Sequence, residues 1–71
     1  MNAMSMTWRW ALVASDGSAH ERGESAAFPS QADAETWIGE SWRTLLDEGV
    51  EAVTLLDGDR VVYGPMSLRP A

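Results

Sequence analysis

Residues 50–66 read Val-Glu-Ala-Val-Thr-Leu-Leu-Asp-Gly-Asp-Arg-Val-Val-Tyr-Gly-Pro-Met, and this stretch decides the fold. Two runs rich in valine and leucine flank Asp57-Gly58-Asp59. Asp-Gly between extended runs is a strong hairpin signal, because glycine accepts the positive φ that a tight turn needs. The stretch therefore predicts a strand at 50–57, a turn, and a strand at 60–66 that Pro65 brings to an end. Both strands are apolar on both sides. Val53 and Leu55 oppose Ala52, Thr54 and Leu56; Val61 and Tyr63 oppose Val62 and Met66. An antiparallel sheet with one solvated face is usually polar on that face, so the apolar excess is a candidate interface.

The preceding segment supplies what covers the other face. Ser30 is a natural N-cap, and Asp33 stands at the third helical position. Gly49 suits the residue just past a helix end. A helix over 31–48 follows. At 100° per residue, Ala34, Ile38, Ser41, Trp42 and Leu45 form one apolar stripe, with Trp37 and Leu46 on its flanks. Gly39 interrupts the helix at a cost of ~1 kcal/mol relative to alanine. Close packing and plain tolerance both explain it.

Upstream lies a second hairpin. Met6, Trp8, Trp10 and Leu12 alternate with Thr7 and Arg9, which predicts a strand at 6–14. Ser15-Asp16-Gly17-Ser18 is its turn. Residues 19–27 form a weaker strand whose His20, Glu21, Arg22 and Glu24 suit an edge. The order is ββαββ: an α+β fold, a four-stranded, mainly antiparallel sheet with one helix packed on one face. Residues 6–66 make this single domain. Residues 1–5 are expected to be a disordered tail, and 67–71 a short frayed one.

Composition narrows the chemistry. The chain has 71 residues, 45% hydrophobic and 23% charged, ordinary values for a folded chain but enough for only one thin core. It has no cysteine, which removes disulfides, thiolate zinc sites and cysteine nucleophiles together. Its basic residues are five arginines, set against eleven acids, for a net charge of -6. Such a chain is a poor match for nucleic acid or an anionic membrane. Residues 31–59 carry -7 and the rest +1. Glu40, Asp47, Glu48 and Glu51 are a candidate acidic ridge for a basic partner, although solubility alone accounts for surface acid. Asp47 and Glu48 fall at the helix C-terminus, where the helix dipole disfavours them.

No phosphate loop, nucleophile elbow or calcium loop occurs. Ser15, Asp16, Ser18 and His20 share a hairpin tip, which lacks the shielded geometry of a triad. Trp8-Arg9-Trp10 has the residues to stack on a base, but no basic groove accompanies it. No run reaches the ~18 apolar residues of a membrane span, and the amino terminus has no secretory pattern. The expectation is a cytoplasmic protein without a cofactor, a metal or a catalytic set.

Three runs resemble a family of short actinobacterial proteins of uncharacterised activity: Ala-Glu-Thr-Trp-Ile-Gly-Glu-Ser-Trp-Arg from position 34, Leu-Leu-Asp-Glu-Gly-Val-Glu-Ala-Val-Thr-Leu-Leu from 45, and Val-Tyr-Gly-Pro-Met-Ser-Leu from 62. The resemblance covers about half the chain. It implies a bacterial, cytoplasmic setting and transfers no activity and no functional residue. The expected function is a small non-enzymatic protein-interaction module, with a protein partner or a homodimer formed through the open sheet face or a strand edge. The alternative is a small-ligand-binding or enzyme-accessory domain with a site lined by Trp37 or Trp42.

Overall fold

A computed structural model describes residues 6–69. The elements are β1 (Trp8–Ala14), β2 (Ala19–Glu24), α1 (Gln31–Asp47), β3 (Val50–Asp57) and β4 (Arg60–Ser67), which is the expected ββαββ order. They form one antiparallel sheet in the order β2-β1-β3-β4. The two most apolar strands, β1 and β3, lie at the centre, where both edges of each are hydrogen-bonded. No described helix is long and apolar enough to cross a membrane.

The core lies between α1 and one sheet face. Trp10, Leu12, Val50, Val53, Leu55 and Leu68 come from the sheet and the segment after it; Ala34, Ile38 and Leu45 come from the helix. Trp8, Trp37, Trp42 and Leu46 pack partly buried around them, while Ser41 is half-buried. Trp10 is fully buried, and its indole N–H donates to the Ala34 carbonyl at 2.9 Å. That bond meets the one polar demand of a buried tryptophan. Trp10 also meets Tyr63 edge-on, with ring centroids 5.9 Å apart.

The helix starts where expected. Ser30 is extended, and its Oγ accepts from the Asp33 N–H at 3.2 Å. Gly39 is exposed, with open space where a Cβ would stand, so it is tolerated rather than required by packing. At the other end the helix stops at Asp47, and Gly49 has φ +96°.

Several boundaries differ from the sequence expectation. Met6 is exposed and β1 begins only at Trp8; the preceding Thr7 accepts from the Gly58 N–H and donates its hydroxyl to Asp57. Strand β2 ends at Glu24 instead of residue 27. Gly23 at φ +75° breaks its alternation, and the Ser25 hydroxyl accepts from the Trp10 N–H in place of a ladder carbonyl. Phe28 then rejoins Trp8 by an isolated bridge. Pro65 does not stop β4, which continues to Ser67. The register shifts between Val53 and Leu55, so Gly64 and Pro65 together oppose Thr54, and a bulge absorbs the missing N–H.

The C-terminal tail expected at 67–71 is anchored through residue 69. Leu68 is buried, its N–H donates to the Glu51 carbonyl, and the Arg69 fork holds both carboxylate oxygens of Glu51 at 2.7 and 2.9 Å. Residues 1–5, expected to be a disordered tail, lie outside the described residues, as do 70 and 71.

Candidate functional site

The face of the sheet away from α1 is the candidate site. Alternation from the buried Trp10, Leu12, Val53 and Leu55 assigns its residues, and the ladder arranges them in three rows across the strands. The first row is Arg9, Leu56 and Val61. The second is Glu24, Ala11 and Thr54, with Gly64 beside Thr54. The third is Ala19, Val13, Ala52 and Ser67. Eight of these are alanine, serine, threonine, glycine or valine, so the face is low and smooth. Val61 is 59% exposed.

Ala52, Thr54 and Leu56 thus share the open face; period two put them on one side of the strand without fixing which side meets the helix. Val62 does not take the place assigned to it. A second register shift, between Leu55 and Leu56, pairs Leu56 with Val61 and Leu55 with Tyr63. Val62 falls in the bulge, half-buried and in contact with the core. Strict alternation had placed Val61 and Tyr63 on one side; the bulge separates them.

The rows contain only two charged side chains, Arg9 and Glu24. They form an ion pair, Arg9 Nε to Glu24 Oε2, at 2.9 Å. Arg9 Nη1 also donates to the Gly58 carbonyl at 2.7 Å. Arg9 therefore links β2 to the β3–β4 turn. Only its place in strand alternation was visible in the sequence.

The acidic residues are dispersed. Glu40 and Asp47 are exposed on the outer helix. Glu48 is paired with Arg22, and Glu51 with Arg69. Two of the four ridge candidates are thus neutralised within the chain. The helix C-terminus that lacks its own cation receives one from β2. The Arg22 N–H donates to His20 Nδ1 at 3.1 Å, so Nε2 bears the hydrogen and donates to the Glu48 carbonyl at 2.9 Å. These contacts satisfy an end carbonyl and bring positive charge to the negative pole of the helix.

His20, Glu21, Arg22 and Glu48 line a shallow, open cleft with no tryptophan in it. Trp37 instead leans on Phe28, and the Arg43 guanidinium lies 5.0 Å from the Trp42 ring centre. Trp10 of the Trp8-Arg9-Trp10 run is buried and Arg9 is engaged. Asp16 is bound by the Ser18 hydroxyl and N–H, which hold its carboxyl below the ordinary 3.8. Asp57 is lowered by the Thr7 hydroxyl and then by Arg60. Both acids serve turns. Among the described residues, no group of three or more histidine and acidic side chains could hold a metal ion.

No family, curated protein or solved structure matches this chain.

Proposed function

We propose that this chain is a small non-enzymatic protein-interaction module that pairs with a second copy of itself through the open sheet face. The resemblance over residues 34–68 adds a bacterial, cytoplasmic setting to this reading. The observation that carries it is the charge balance of the face: one arginine and one glutamate in its rows, on a chain of net charge -6. Two copies meeting through the outer helix bring surplus acid together; meeting here, they do not.

Area favours a reversible pairing. Four strands ~4.8 Å apart and about seven residues of ~3.3 Å give roughly 450 Å² per copy, or about 900 Å² for the pair. That is below the standard size of a stable interface and fits a weak, transient one. The edges are poorer templates. Strand β2 presents His20 and the charged Glu21, Arg22 and Glu24, and β4 is broken by two register shifts and Pro65.

Sedimentation equilibrium from roughly 10 µM to 1 mM, the range for weak pairing, tests this. The expected result is a mass rising from one chain to two, with Leu56→Glu folded and monomeric throughout. A native chain that stays monomeric across the range overturns the reading.

A further inference from the structure

We propose that Arg9 and Glu24 set the register of that dimer, each reaching its opposite number on the other copy. The inference rests on the self-pairing proposed above and adds its geometry and specificity residues. The first and second rows of the open face differ in size. Arg9, Leu56 and Val61 are large; Ala11, Thr54 and the adjacent Gly64 are small. A two-fold axis running across the strands between these rows sets large residues on small ones. Leu56 lies over Thr54 of the other copy, Val61 over its Gly64, and Arg9 over its Ala11. Large against small is how two faces interdigitate without voids. The third row then lies outside the centre of the contact.

The same axis brings Arg9 beside Glu24 of the other copy, because a two-fold contact is reciprocal. Both groups have capacity for it. A guanidinium has five N–H donors, and within the chain Arg9 is ion-paired with Glu24 through Nε and donates one N–H to the Gly58 carbonyl. The Glu24 side chain is 51% exposed and receives Arg9 through Oε2. Burying this pair without further partners would strand hydrogen-bonding groups away from water. A ring of two arginines and two glutamates satisfies them and opposes any other register.

Charge reversal in separate chains tests the inference. Arg9→Glu gives a face with two carboxylates, and Glu24→Arg one with two guanidinium groups. Each variant alone should lose self-association by roughly tenfold or more, and an equimolar mixture should recover it as a mixed dimer. Thermal melts followed by tryptophan fluorescence confirm that each is folded. A second measurement does not depend on the charge variants. The chain has no cysteine, so an oxidised mixture of Leu56→Cys and Thr54→Cys chains reports the register directly. The mixed disulfide should clearly exceed the half share that random pairing would give it. If the native chain dimerises but both reversed variants do so equally well, or the disulfides form statistically, this register is wrong while the dimer stands. A monomeric native chain removes both.

Discussion

Replacing Gly64 with alanine asks whether β4 is held against β3 as closely as the structure has it. Gly64 has φ +123°. An added Cβ would lie 2.7 Å from the Thr54 Cα, 2.9 Å from the Val53 carbonyl oxygen and 3.0 Å from Thr54 Oγ1. The first two are backbone atoms of a central strand whose Val53 and Leu55 are fully buried, so they have no room to yield. The positive φ alone costs a side-chain-bearing residue about 1–3 kcal/mol. Relieving the overlap means drawing β4 away from β3, at about 1 kcal/mol for each ladder bond lost. The total is about 3–5 kcal/mol. At roughly 0.05–0.15 kcal/mol per residue, a chain of this length holds only about 4–10 kcal/mol. Gly64→Ala should therefore lose about a third or more of the native stability. Urea unfolding followed by tryptophan fluorescence measures this, with Trp10 as a buried reporter. A loss below about 1 kcal/mol, with an unchanged denaturant slope, would refute the close approach of the two strands.

The same substitution at Gly39 should act in the opposite direction. Nothing stands within 4 Å of the added Cβ, so alanine should gain up to about 1 kcal/mol of helix propensity and raise the melting temperature by about 4–8 °C; a lower temperature in the same melt would contradict the open space. Acid should weaken the fold through the lowered carboxyls, above all the two that join distant segments. The Thr7 hydroxyl and then Arg60 hold Asp57 below its ordinary 3.8, and Arg69 holds Glu51 below 4.5. Folded-state values below the unfolded ones stabilise above that range, and the contribution is lost as pH falls through 4.5 and 3.8 towards the folded-state values. Urea midpoints across that range should fall less steeply for Asp57→Asn than for the native chain, and equal slopes would count against the Thr7 contact.

The order of elements was legible because its punctuation is local. Asp16-Gly17 and Asp57-Gly58 turn the chain, Ser30 starts the helix and Gly49 follows its end, each through contacts within a few residues. What escaped the sequence depends on distant partners. The bulge that moves Val61 beside Leu56 exists only once β4 is laid against β3, and alternation has no means of registering one extra residue. Strand β2 ended early because the Ser25 hydroxyl, a side chain, took a backbone position in the ladder. Leu68 read as tail because the groove that receives it is formed by other elements. The acid at Asp47 and Glu48 looked uncompensated, since the cation that meets Glu48 is Arg22, on the far side of the helix in sequence. The open face was half legible: Ala52, Thr54 and Leu56 follow from period two, while the Arg9–Glu24 pair needs the neighbouring strand.

The clasp of His20 and Arg22 on the end of α1 bears on how the molecule opens. An outermost strand usually frays by itself, since it has one neighbour and little apolar cover. Here β2 cannot leave without uncapping the last turn of the helix, and that turn leads directly into Val50, at the start of a central strand. Edge and centre are thus coupled through the helix terminus. Amide hydrogens of β2 should exchange with solvent in one cooperative opening with those of the last helical turn, so the most charged strand of the sheet shares the protection of its interior.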